Sequence, residues 1–183
     1  MTQSVWRSLL FVPVLCAAPS PALAADYLTV PEAQRALVPK ADRFLPHAVT
    51  LTREQLGRIR KLSGVPQRAA RPTVWKAMAG ARQLGWVIVD EVIGKHEFIT
   101  YAAAISPDGQ VMGVEILSYR ETKGGQVRNP RWLGLFRGKT VEDEFRLNRD
   151  IPNISGATLS CRNITDGVKR LLAIHRVALA GAG

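Results

Sequence analysis

Cysteine is nearly missing from these 183 residues: only Cys16 and Cys161 are present, with no Cys-x-x-Cys pair and no haem-attachment signature. Cysteine-rich zinc sites, iron–sulfur clusters and c-type haem are thereby excluded. Histidine is scarce too. His47, His96 and His175 lie far apart in sequence, and each reads as structural or surface rather than catalytic. Acid is in deficit, with 15 Asp plus Glu against 25 Lys plus Arg, a formal charge of +10. That balance often marks nucleic-acid binding. Here the basic residues are scattered rather than gathered into a stripe, so acidic lipid headgroups, anionic protein partners or a phosphate-bearing ligand fit better, and no nucleic acid is expected. No strand–helix–strand repetition is visible, which argues against a parallel sheet.

One long apolar run is present, Leu9 to Ala18. It follows Arg7 and leads to the small-x-small sequence Ala22-Leu23-Ala24. Residues 1–24 read as a secretory signal peptide. Pro13 and the shortness of the run make a retained transmembrane anchor the weaker reading, and bulky Leu15 before Cys16 argues against a lipoprotein. The expected location is periplasmic or otherwise extracytoplasmic, at the outer face of the cytoplasmic membrane. Cleavage leaves 159 residues with 24 basic and 15 acidic side chains, a charge of +9. That length suits one core. Cys161 alone remains, so no intramolecular disulfide is expected even in an oxidising compartment, and the residue reads as a small buried side chain.

Residues 25–70 read as a polar, helical N-terminal extension. Pro31 opens a helix through Val38 with Thr29 as a possible cap, and a second helix runs from about Thr52 to Leu62, stopped by Gly64 and Pro66. Ala41 to Pro46 reads as a connection. A domain over 71–183 follows, with strands at Thr73–Ala77, Trp86–Val92, Glu97–Ile105 and Gln110–Tyr119, the last two joined by the turn Ser106-Pro107-Asp108-Gly109. The fold class is α+β: an antiparallel sheet with packed helices and a long C-terminal helix. Trp132 and Phe136 read as core, and the basic residues of 126–150 as a solvated face.

The C-terminal helix reads from about Ser160 to Leu179, with Ile164, Val168, Leu171, Leu172, His175 and Leu179 on one face. Directly before it lies Ile151-Pro152-Asn153-Ile154-Ser155-Gly156-Ala157-Thr158-Leu159-Ser160. Ser155, Thr158 and Ser160 are cap-type residues, and the amides and positive dipole end of a helix favour an anion there. Local physics alone leaves a plain helix cap open as the reading of this turn.

The order Ser-Gly-Ala-Thr-Leu-Ser resembles the flavinylation motif of the FMN-binding domain family, which includes FMN-carrying subunits of Rnf complexes and of sodium-pumping NADH:quinone reductases. Gly113-Val114-Glu115-Ile116-Leu117 running into Glu121-Thr122-Lys123-Gly124-Gly125, then Trp132, Phe136 and Gly138, is similar to that family's strand, turn and aromatic segment. The resemblance covers about Trp86 to Ala173. It implies FMN as cofactor, held through a phosphoester on Thr158 and attached by a separate flavin transferase using FAD and magnesium. It also implies Ser155, Gly156, Ala157 and Ser160 as turn residues of the site, with Glu121, Thr122 and Gly124 on the ring side. Lys123 stands where the family usually has proline, and Pro152 where it usually has aspartate, with Asp150 a possible substitute. The function implied is an exported electron carrier serving a membrane or periplasmic redox partner. A scaffold or binding module of the same fold without flavin is the alternative. A hydrolase using Ser155 or Thr158 ranks below both, because no Gly-x-Ser-x-Gly elbow or adjacent histidine is present.

Overall fold

The computed structural model describes residues 25–181, so the expected signal peptide lies outside the described residues. Strands β1 (Ala25–Asp26), β2 (Arg43–Pro46), β3 (Thr73–Ala79), β4 (Arg82–Ile93), β5 (Phe98–Ile105) and β6 (Val111–Tyr119) form one sheet in the order β1-β6-β5-β4-β3-β2, every pair antiparallel. The α+β expectation holds. The four strands expected between 71 and 119 are present, with ends displaced by a few residues.

Both faces of this sheet are covered. Alternate side chains of the central strands explain why: Trp86, Ile88, Ile99, Tyr101 and Ile105 face one apolar cluster, while Val87, Ala102 and Ala104 face another. Helix α1 (Val30–Leu37) packs its Ala33 and Leu37 over the second face, where the alanines of β5 leave room. Thr29 and Glu32 form a reciprocal capping box at its start. Helix α2 (Arg53–Ser63) has the same device in Thr52 and Gln55, and ends on Gly64 with φ +80. It packs beside the C-terminal helix α4 (Thr158–Ile174) on the first face. The short α3 (Pro130–Gly134) follows a 3₁₀ turn at Gly125–Arg128.

Three expectations are corrected. Residues 25–70 are not purely helical, because β1 and β2 take both edges of the sheet. The supposed connection Ala41 to Pro46 contains β2, whose exposed residues show no alternation and whose Pro46 suits an edge strand. Helix α4 begins two residues earlier than expected and ends in a π-helical turn, His175–Leu179, that keeps Leu179 in the core. The predicted apolar face is otherwise intact, with Ile164, Val168, Leu171, Leu172 and His175 all buried.

His175 sets an acid limit on stability. Its imidazole is 3% exposed, and Nε2 has no hydrogen-bond partner. Burial, aided by Arg176, holds its pKa below the ordinary histidine range, with Asp108 and the Pro107 backbone opposing. A folded-state pKa below the unfolded value means that the unfolded chain takes up the proton first. Stability is therefore fully present above the ordinary histidine pKa of about 6.5 and declines as pH falls below it. His47, lowered by burial and by Lys76, acts with the same sign. Urea unfolding across that window should show the decline, and His175→Phe should flatten it; an unchanged slope in the variant would assign the effect elsewhere.

Candidate functional site

The helix α4 N-terminus is brought beside the loop that leaves β6. Gly156, with φ +79, turns the chain in a way an L side chain rarely allows, and the Ala157 amide donates to Ile154 O at 3.0 Å to close the turn. The N-cap position then falls on Ala157, and no side chain caps the helix. This corrects the expectation that Ser155, Thr158 or Ser160 serves as the cap. The first-turn amides keep the positive end of the helix available to an anion.

Tyr119, the last residue of β6, ties the two segments together. Its phenol donates to Lys123 O at 2.6 Å and meets Ser160 Oγ at 3.2 Å. The single phenolic proton is used on Lys123, so the serine hydroxyl is the donor to Tyr119. Burial raises the phenol's pKa, the Ser160 bond lowers it and Glu121 raises it, with a net upward shift that keeps it a donor at neutral pH. Gly124, φ +87, lies so close that a Cβ there would stand 2.6 Å from Tyr119 Oη and 2.8 Å from Ala157 Cβ. No larger residue fits between loop and turn.

The expected site residues therefore converge, in different roles. Thr158, Ser155 and Gly156 are exposed, Ala157 and Ser160 buried. A cleft of ≈ 390 Å³ is lined by Lys95, His96, Glu121, Thr122, Lys123 and the segment 156–160. Its volume falls in the ~300–1,000 Å³ range of small-molecule sites. A broader, more open cleft of ≈ 1170 Å³ adjoins it, sharing Glu121, Thr122, Lys123 and Gly156 and reaching Ser155, Gly124 and Arg128.

Glu121 works mainly as a clamp. Oε1 accepts from the His96 amide at 2.6 Å and the Glu97 amide at 3.0 Å, joining the loop to the β4–β5 turn. Partial burial raises its pKa, but the backbone amides of Glu97, His96 and Lys95 outweigh that and hold the carboxylate below its usual range. Asp150 is likewise committed. It pairs with Lys139 at 2.9 Å and accepts from the backbone amides of Phe145 and Arg146. It thus pins a loop whose Phe145 and Asn148 have positive φ. A carboxylate so engaged is not a free substitute for the one expected at position 152.

Sequence reasoning missed several contributors. Trp132 and Phe136 are core, edge to face at 5.2 Å, yet the Trp132 indole also donates to Pro152 O at 2.8 Å and fixes the entry to the turn. Asn153 Nδ2 donates to Thr158 Oγ1 at 3.0 Å. Tyr119 could have been found as the aromatic ending the strand before Glu121; Lys95 and His96 gave no local signal. Cys161 is buried, and burial raises its thiol pKa, which makes it an inert core residue. Among the described residues no helix is long and apolar enough to cross a membrane.

The residues present fit a phosphate-bearing ligand: uncapped helix amides, two flanking lysines and small residues where loop and turn meet. Comparisons with known proteins agree. Residues 94–173 match the family model described as the FMN-binding domain. The chain is 28% identical over 116 residues to a component of the proton-translocating ferredoxin:NAD(+) oxidoreductase complex of Clostridium ljungdahlii, covering 60% of this chain and 62% of that protein. It is 28% identical over 123 residues to a component of the ion-translocating oxidoreductase complex of Aliivibrio fischeri, covering 53% and 58%. It thus spans about three fifths of the length of these curated relatives. Among solved structures, NqrC of Shewanella oneidensis superposes with a TM-score of 0.50 at 22% identity, covering 73% of this chain and 66% of that one, a likeness of fold. The cofactor indicated is FMN, and it is residues 94–173 of this chain that are similar to the FMN-binding domain family.

Proposed function

We propose that this protein is an exported electron carrier whose FMN is esterified through its phosphate to Thr158. The observation that carries the reading is the Thr158 hydroxyl itself: exposed, free of any capping duty, and set at an uncapped helix N-terminus in the cleft that Lys95 and Lys123 also line. The helix amides and the lysines offset the charge of a phosphate there. Ala157 and Gly124 hold the two segments in contact, Tyr119 and Ser160 lock the helix start to the sheet, and Glu121 fixes the β4–β5 turn beside them. FMN supplies one- and two-electron exchange, and the polypeptide supplies tether, pocket and docking surface.

A flavin transferase would mature the protein, and a membrane or periplasmic redox partner would exchange electrons with it. The relatives' names, as components of redox complexes, support the redox partner. A tether also suits a compartment where a dissociated cofactor is lost. The hydrolase reading gains nothing: His96 lines the same cleft, but the side-chain partner of Thr158 among the described residues is Asn153.

Full-length protein co-expressed with a compatible transferase in an exporting host tests the reading. The expected product begins at Ala25 and keeps flavin fluorescence through denaturing electrophoresis. An N-terminus at Met1 would contradict export, and an unlabelled band would leave a non-flavinylated scaffold in place of the carrier.

A further inference from the structure

We propose that Asn153 is the positioning residue for flavin attachment, donating from Nδ2 to Thr158 Oγ1 while that oxygen becomes the ester oxygen. The proposal rests on the covalent reading above and adds a residue that lies outside the Ser-Gly-Ala-Thr-Leu-Ser motif.

Asn153 is held from both sides. Before it, the Pro152 carbonyl accepts the Trp132 indole at 2.8 Å, and Ile151 is fully buried. After it, Ile154 O accepts the Ala157 amide at 3.0 Å. Within this frame Nδ2 reaches Thr158 Oγ1 at 3.0 Å, and Oδ1 is buried with no hydrogen-bond partner. An amide oxygen shut away from water without a partner is unfavourable, and buried polar groups are nearly always paired. Alanine or serine would avoid that penalty. The local return for an asparagine is the contact with the threonine hydroxyl.

That contact has a chemical use. In attachment, a new bond forms between Thr158 Oγ1 and the FMN phosphorus of FAD while the pyrophosphate P–O bond breaks. AMP leaves with the bridging oxygen, the hydroxyl proton passes to a base of the transferase, and nothing is oxidised or reduced. A donor on Oγ1 occupies one lone pair, fixes the side-chain rotamer and stabilises negative charge growing on the oxygen. It leaves the hydroxyl proton free to depart. Pro152 has no side-chain polar group for this purpose, and Asp150 is engaged with Lys139 and the 145–146 amides.

The test is the attachment rate with purified transferase and FAD on the full-length mature chain. Asn153→Ala should slow attachment about tenfold, the scale of one hydrogen bond made to the reacting atom. Asn153→Asp keeps the shape but only accepts when ionised, so it should also be slow at pH 8. Relative to the parent at each pH, its rate should rise as pH falls from 8 to 5 and the carboxyl gains a proton to donate. A merely structural role would not produce that profile. Parent-like rates for Asn153→Ala, or an Asn153→Asp rate at pH 8 equal to the parent's, would overturn the assignment. A parent chain that takes no flavin would overturn the covalent reading, and this inference with it.

Discussion

Thr158→Ala yields a folded chain that carries no covalent flavin, under conditions where the parent is labelled to completion. The loss is total rather than graded, because the ester needs a hydroxyl oxygen and alanine has none. The fold survives. Thr158 is exposed, sits at the first position of α4, and makes one side-chain hydrogen bond, from Asn153. An N-cap residue lost to alanine costs about 1 kcal/mol, but here Ala157 holds that position and no capping bond exists to lose. The stability change should therefore stay below ~1 kcal/mol against a total of roughly 5–15 kcal/mol. Denaturing electrophoresis under ultraviolet light reads the label, and urea unfolding reads the fold. Persistent label would move the attachment to Ser155 or another neighbouring hydroxyl. Ser160 is the less favourable site, being buried against Tyr119.

The second large effect falls on the contact that docks α4 to the sheet. Arg170 reaches Asp90 with Nη2 at 2.5 Å and Nε at 3.2 Å, and the Tyr101 phenol donates to the same carboxylate oxygen at 3.1 Å. The side chains of the pair are 8% and 18% exposed. Burial first, then Asp90, raise the Tyr101 pKa well above its ordinary value, so the phenol remains a donor. Gly167, one turn earlier on α4, lets the helix approach so near that a Cβ would lie 2.5 Å from Tyr101 Oη.

Arg170→Ala removes the cation and leaves Asp90 with a single donor side chain in a mostly dry interface. Breaking such a pair from one side costs about 3–5 kcal/mol, a drop in Tm of roughly 10 °C for a domain of this size. Asp90→Asn should cost less, since the amide oxygen still accepts from Tyr101. The consequence for function is indirect: α4 carries Thr158 at its far end, and flavin loading should fall only as far as the folded fraction falls. A change in Arg170→Ala under about 1 kcal/mol would mean that the pair is solvated and the helix is docked by its apolar face alone.

Much of the frame was legible because period and burial agree. The stretches Trp86 to Val89 and Tyr101 to Ile105 are apolar on both parities, as suits strands covered on two faces, and Ile164, Val168 and Leu171 keep helical spacing along α4. Strand β2 was not legible. Arg43–Pro46 is an exposed edge whose pairing with β3 is set by tertiary contact, so local alternation carries no trace of it. The helix start was misplaced because three cap-type side chains invite a cap, while the positive φ of Gly156 shifts the N-cap position to Ala157.

The site divides in the same way. Its two segments could be read from Ser155 to Ser160 and from Glu121 to Gly125. Their contact through Gly124 and Ala157, and the long-range bonds of Tyr119 and Trp132, are properties of the folded chain.

The central claim, that FMN is bonded to this chain at Thr158, is tested most directly by mass spectrometry of the protein purified from its own cell envelope. The expected result is one species that begins at Ala25, with a mass raised by one FMN less one water. Trypsin should place the whole increment on the peptide Asp150 to Arg162, and fragmentation should localise it to Thr158. A chain of unmodified mass, or an increment carried by any other residue, would contradict it.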